Sequence, residues 1–190
     1  MKKLFQIIFI LLIIKTPIYA WDLEIGSQRL RPQLTTAIQE YKTNDGQLLT
    51  TNPSFNDTIY GTSLFINLVI DQFIYQYETT NFTYNTVIPS SNSIVLIDTS
   101  VKGDISEQRL GFYFQQKREL AGYYVGVGIS KEEEKIFLND QNWIFETITP
   151  YLKGGIDLII NDFQIRTEQS HYKIGKHDVR MNSLGILYSF

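Results

Sequence analysis

The side chains most able to do chemistry in this 190-residue chain are two histidines, His171 and His177, in the stretch HYKIGKH. Folded as a hairpin, that stretch brings the imidazoles together, and two imidazoles are half of a metal site. A structural zinc needs four ligands and a catalytic one needs three. Only Asp178 and Glu168 stand near in sequence, so the reading is two exposed loop histidines and no metal. Ser170 adjoins His171, a nucleophile beside a base. The two must lie within hydrogen-bond reach to share a proton, and consecutive residues of a strand point to opposite faces. No catalytic residue and no cofactor are therefore expected. The run Lys131-Glu132-Glu133-Glu134-Lys135 offers carboxylates to hard divalent cations, but such runs are ordinarily solvated. It reads as the tip of a loop.

Composition narrows the remaining classes. The chain has 17 basic and 20 acidic residues, a net charge of −3, and no cysteine. Lys2 and Lys3 precede an apolar run over residues 4–14, broken only by Gln6, and a small residue, Ala20, precedes Trp21. This is the layout of a secretory signal peptide, and the run is short of the roughly 20 apolar residues that a membrane helix needs. The expected organisation is a signal peptide at 1–20 and one domain at 21–190. Residues 1–20 hold Lys2, Lys3 and Lys15 and no acid, so the mature chain keeps 14 of the 17 basic residues against all 20 acidic ones. That balance, without a basic cluster, excludes nucleic acid as a partner. Without cysteine the exported chain is neither a disulfide-stapled scaffold nor a lipoprotein anchored through its N-terminus.

Period-two alternation organises the rest. Ala121, Tyr123, Val125, Val127 and Ile129 alternate with Gly122, Tyr124, Gly126, Gly128 and Ser130. Ile148, Pro150, Leu152, Gly154, Ile156, Leu158 and Ile160 alternate with Thr149, Tyr151, Lys153, Gly155 and Asp157. Such a period belongs to strands. Strands are predicted at 22–34, 58–70, 73–82, 105–115, 120–131, 144–160, 163–170 and 179–190, with a bulge or break at Pro150. Tight polar turns at 71–72, 116–119 and 161–162 alternate with long polar loops at 35–57, 83–104, 132–142 and 171–178. The apolar run 94–97 is left within the second loop. Three short turns and four long loops joining eight strands is the arrangement of a transmembrane barrel.

Alternation alone does not say which face is inside. The polar faces carry glycines with charges of both signs, Glu78, Arg109, Lys153, Asp157, Arg166 and Glu168, which suits a narrow lumen where opposed charges pair. Phe73, Phe114, Phe163 and Phe190 fall beside the turns or the C-terminus, and Phe82, Trp143, Phe145 and Tyr172 near the loops, as aromatic belts do. The fold expected is therefore all-β: a closed, antiparallel, eight-stranded up-and-down transmembrane β-barrel.

The last eight residues, SLGILYSF, carry a resemblance. Gly185, set among the alternate apolar residues Leu184, Ile186 and Tyr188, and a terminal Phe190 resemble the closing strand of bacterial outer membrane proteins. The whole mature chain resembles the small eight-stranded barrels of the OmpX, OmpW and OmpA transmembrane-domain type. The resemblance implies a cell outer membrane location and recognition of that strand by the barrel-assembly machinery. It also implies partnership with the lipid bilayer and lipopolysaccharide. The function expected is non-enzymatic, with surface loops serving envelope integrity or adhesion to a host or phage surface ligand. The alternatives are a narrow channel or lateral-release transporter, and a rim-active lipid A-modifying enzyme. Against an open pore, eight strands enclose a lumen just filled by side chains. Against the enzyme, Tyr172 and Lys173 follow His171 where the deacylases carry a His-x-Ser arrangement.

Overall fold

A computed structural model of the protein describes residues 21–34, 39–42, 48–53, 61–88, 99–138, 141–174 and 177–190. Ten strands form: β1 (Trp21–Leu34), β2 (Gln39–Lys42), β3 (Leu48–Pro53), β4 (Gly61–Ile70), β5 (Phe73–Ile88), β6 (Thr99–Lys117), β7 (Ala121–Leu138), β8 (Gln141–Ile160), β9 (Phe163–Ile174) and β10 (His177–Ser189). Eight of them build the barrel. Each pairs antiparallel with its neighbour in sequence from β4 to β10, β1 pairs with both β4 and β10, and the β5–β6 ladder completes the ring. Closure leaves no sheet edge in the membrane, where an unpaired backbone group would find no water. β2 and β3 form a small hairpin attached to β5 through Asn52↔Val87 and Pro53↔Thr86.

Two of the short turns are two residues long, and their first residues, Asp71 and Asn161, have φ of 53° and 56°. Asp and Asn tolerate this left-handed region better than other side chains, and it matches the twist of a tight hairpin. The third turn lies at 118–120, because β6 continues to Lys117; Leu120 belongs to the turn and not to a strand.

The eight expected strands are present, and three of them, β5, β6 and β7, are much longer than the alternation suggested. β5, β6, β7 and β8 have 16, 19, 18 and 20 residues, against 14, 10, 12 and 13 for β1, β4, β9 and β10. Much of the expected loops at 83–104, 132–142 and 171–178 is strand. The run Lys131-Glu132-Glu133-Glu134-Lys135 is wall and not loop tip: Glu132 and Glu134 point inward, while Lys131, Glu133 and Lys135 point outward. The strand signal was sought in an apolar outer face. Here the exterior turns polar and the ladder simply continues into water. The first expected loop holds β2 and β3, and the apolar run 94–97 lies outside the described residues, as do 1–20.

Pro150 causes no break. β8 runs through it, paired Ile129↔Pro150 on the β7 side. On the other side the β8–β9 ladder ends at Tyr151↔Tyr172, so Pro150 stands one residue beyond it. Proline is tolerated at such an edge because no second ladder asks for its N–H.

Exposure settles which face meets hydrocarbon. Val127 and Ile129 are 57% and 54% exposed, whereas Lys153 and Arg166 are 0% exposed. A water-soluble barrel would reverse this. The outer band reads Leu64, Ile66, Leu68 and Ile70 on β4, Tyr123 to Ile129 on β7, and Leu184, Ile186 and Tyr188 on β10. Phe73, Phe114, Phe163 and Phe190 ring its turn end, where Phe73 stacks on Phe112 and Tyr188 meets Phe163 and Phe190 edge-on. The expected second belt does not form. Phe82 and Tyr172 are buried on the lumen side, and Trp143 and Phe145, of the same inward parity, are half-buried. Strand parity, and not nearness to a loop, decides which way a ring points.

Candidate functional site

The inner face of every strand converges on the lumen, so the site is built by parity. Small residues make the room. A Cβ on Gly126 would lie 2.1 Å from the Phe112 carbonyl oxygen, and one on Gly128 would lie 2.3 Å from that of Leu110. These glycines let the bulk of Tyr113 and Tyr151 fold across the barrel, where their hydroxyls meet at 2.7 Å.

Glu78, Arg109, Lys153, Asp157, Arg166 and Glu168 lie on the inner face of their strands, and all six are buried. Lys153 is the hub, with its Nζ 2.8 Å from Glu78 and 2.8 Å from Glu168, and donating to Gln76 Oε1 at 2.8 Å. Gln28 Nε2 donates to both glutamates at 2.7 Å, Ser63 donates to Glu78, and the Tyr124 hydroxyl donates to Glu168. Nearer the turns, Arg166 holds Asp157 and stands 4.0 Å from Glu24. Nearer the loops, Arg109 pairs with Glu107 at 2.6 Å and reaches Glu78 at 3.9 Å. Aromatic faces cover the cations: Arg166 lies 4.4 Å from the Tyr124 ring centroid, and Arg109 lies 4.5 Å from that of Tyr172. Cation–π contact of this kind is strongest when desolvated.

Sequence reading missed several partners. Glu24 takes Lys117 at 2.5 Å, Asn67 at 2.8 Å and Gln164 at 3.2 Å. Glu24 and Gln28 sit on β1, whose outer face alternates weakly in hydropathy; the even parity of their positions was the available signal. Apolar layers also went unread. Val69, Ile74 and Leu187 close the lumen at the turn end, and Leu30, Phe82, Ile105, Val179 and Met181 pack above the charges. The lumen is thus stacked as apolar floor, ionic middle and apolar-aromatic cap. Eight strands leave no more room than such side chains fill.

Beyond the apolar band the inner wall becomes acidic. On β7 the exterior changes from Ile129 to Lys131, and on β6 from Leu110 to Gln108, which marks the end of the membrane-spanning segments there. Glu107 and its cross-strand partner Glu132 lie above that line. Burial pushes the Glu132 carboxyl up to about 8; the hydrogen bond from Thr149 opposes this and the neighbouring Glu107 adds to it. Glu107 is also raised, by burial above all, against the pull of Arg109. Glu134 accepts from the Tyr84 hydroxyl.

The candidate chemistry of the last hairpin does not assemble. Ser170 is buried and His171 exposed, on opposite faces of β9, and the side chain of His177 lies outside the described residues. Among the described residues no cluster of three His, Cys, Asp or Glu is placed to hold a metal. At the C-terminus Leu184, Ile186 and Phe190 face outward, Gly185 faces inward, and Tyr188 is half-buried between Phe163 and Phe190. The Phe190 N–H donates to the Leu23 carbonyl at 2.9 Å, tying the end of the chain to β1.

No protein-family model matches the chain, and no curated protein matches it by sequence. Solved structures do match its shape. The attachment invasion locus protein Ail of Yersinia pestis, in complex with the heparin analogue sucrose octasulfate, is 14% identical with a TM-score of 0.58. That match covers 90% of this chain and 99% of Ail. Neisserial surface protein A is 8% identical at TM-score 0.58, over 90% and 97% of the two chains. The N-terminal β-barrel domain of Pseudomonas aeruginosa OprF is 13% identical at TM-score 0.50, over 89% and 97%. At these identities the likeness concerns the fold. With its hydrocarbon-facing exterior and ion-paired interior, the chain has the fold of the small eight-stranded outer membrane β-barrels.

Proposed function

We propose that this protein is a non-enzymatic resident of the bacterial outer membrane that conducts no solute and presents its outer rim and loops for envelope integrity or adhesion. The export route is a signal peptide at 1–20, followed by assembly through the closing strand, Leu184 to Phe190. The observation that carries the reading is the filled lumen: Lys153 bridges Glu78 and Glu168 between two apolar layers, so a solute would have to break a buried ionic network to pass. Breaking such a pair costs several kcal/mol. Recognition then falls to the surface, where rigid scaffolds display loops, and here β5 to β8 lift one side of the rim into solvent.

The test has two arms. In planar lipid bilayers the refolded mature protein should give conductance at the level of leak. Cells displaying the protein should lose adherence to host cells or matrix when the connection between Ile88 and Thr99 is cut to two residues while the barrel still shifts on unboiled gels. Ohmic channels of steady conductance, or a changed lipid A mass in cells expressing the protein, would discard the reading.

A further inference from the structure

Charge is spread unevenly around the outside of the barrel. On β6 to β8, exterior charges above the apolar band neutralise one another: Lys131 with Glu146 at 3.3 Å, Lys135 with Glu133 at 2.9 Å, and Lys102 with Asp104 at 3.3 Å. The exterior of β1, β10 and β9 differs. From the edge of the band upward it carries Arg29, Arg31, Arg180 and His171, separated by neutral polar residues, and no carboxylate among the side chains described there; the side chain of Asp178 lies outside them. Arg29, at the edge of the band, already has a partner. Arg31 and Arg180 form no ion pair with any described side chain.

The register puts these groups side by side. Arg31 pairs with Asn182 and Gln33 with Arg180, so the two arginines are diagonal neighbours across β1–β10, about 7–8 Å apart. Arg180 lies directly opposite His171 on β9. Like charges so placed repel, and an anion lying between them removes the repulsion. Height matters as much as spacing. Asn182, level with Arg31, is one same-face step beyond Leu184, which is 62% exposed in the apolar band; that step is about 7 Å. Arg180 is one step further. The cations therefore begin where hydrocarbon ends, on the side of the membrane away from the short turns.

We propose that the β1–β10–β9 face docks the phosphorylated lipid of the outer leaflet, lipopolysaccharide. Its phosphates lie between Arg31 and Arg180, and its acyl chains run down Leu184, Ile186 and Ile25. The planar guanidinium fork matches phosphate oxygens two at a time. Continuity with the apolar band is what selects a lipid over a soluble anion, because only a lipid fills both surfaces. The site stands apart from the raised rim of β5 to β8 and does not rest on an adhesive role.

Native mass spectrometry of the full mature barrel in detergent, titrated with bisphosphorylated lipid A, reads the site. Wild type should carry lipid A adducts, and R31Q/R180Q should bind about tenfold or more weakly, since charge-assisted bonds to phosphate are lost. K131Q, at the foot of the opposite wall and already neutralised by Glu146, should bind as wild type does. Dephosphorylated lipid A should bind wild type no better than the double variant. Folding is checked by the unboiled gel shift, and R31K/R180K, which keeps both charges, should fall between the two. Equal binding by R31Q/R180Q, or equal binding of the dephosphorylated lipid, overturns the proposal. So does an outcome in which the substitutions abolish binding of a heparin fragment and leave lipid A untouched.

Discussion

Asp157 and Arg166 face each other across the β8–β9 ladder, joined by two parallel hydrogen bonds, Nε to Oδ1 at 2.7 Å and Nη2 to Oδ2 at 2.9 Å. Both side chains are buried, so neither charge has water to fall back on. Asp157→Asn should therefore cost about 3–5 kcal/mol, the usual result of leaving one member of a buried pair. Replacing both, as D157N/R166M, should recover part of the loss. Urea unfolding of refolded protein in detergent measures both, and equal midpoints for D157N and wild type would refute the coupling.

The ionic middle of the lumen is also the expected barrier to flow. K153A/E78A/R109A removes the hub, one acceptor and the cation above it, and should produce discrete conductance steps in planar bilayers where wild type gives none. A triple variant as silent as wild type would mean that the apolar layers close the barrel by themselves.

Glu132 gives the wall a sign of pH dependence. Its folded carboxyl is raised from 4.5 to about 8, so the native state binds more protons than the unfolded state between those values. Its contribution to stability is complete below the unfolded value and is lost as pH rises through the folded one. The unfolding midpoint should thus fall from pH 5 to pH 9. E132Q should flatten that slope and be the more stable protein at pH 9, and a wild-type slope in E132Q would exclude this residue as its cause.

Gly126 sits so close to β6 that a methyl group cannot be placed without moving backbone. G126A should refold poorly and lose most of the unboiled gel shift. G154A, whose Cβ would meet nothing nearer than 3.2 Å, should refold far better. Similar yields would show that the ladder relaxes more readily than its spacing suggests.

Phe190 separates recognition from packing. It is exposed on the outer band and contributes one ring contact to Tyr188. F190A should refold in detergent at close to the wild-type rate and yet assemble markedly more slowly when the assembly machinery is supplied. Equal slowing in both settings would assign Phe190 a packing role only.

How much of this was legible in the sequence follows from what faces lipid. Where hydrocarbon wets one side, as at Val125, Val127 and Ile129, apolar and small residues alternate cleanly and both strand and orientation can be read. Above the membrane that pattern lapses, and along Lys131 to Lys135 both faces of β7 are charged, so the stretch looks like any solvated charge run although the ladder runs on. The charges expected in the lumen lie on β5, β6, β8 and β9, whose membrane-facing stretches alternate well, whereas Glu132 and Glu134 of β7 read as loop. Glu24, Gln28 and Lys117 were missed because β1 alternates weakly and the β6 turn was placed too early. The pairing of Lys153 with Glu78 joins residues far apart in sequence, and only closure of the ring brings them together. The Arg31–Arg180 face was invisible for the same reason, since β1 and β10 come from opposite ends of the domain.

The join between β1 and β10, with Glu24 abreast of Ser189, has a consequence for biogenesis. The first strand to leave the inner membrane has to wait for the last before it has a neighbour on that flank, so no growing intermediate resembles a shorter finished cylinder. Until then the polypeptide has to stay dissolved in the periplasm, and a mean hydropathy of −0.12 over all 190 residues, the apolar run 4–14 included, makes that feasible. Spacing the greasy residues at every second position keeps the traveller hydrophilic on average, and its oily coat comes into existence only when the hoop is shut.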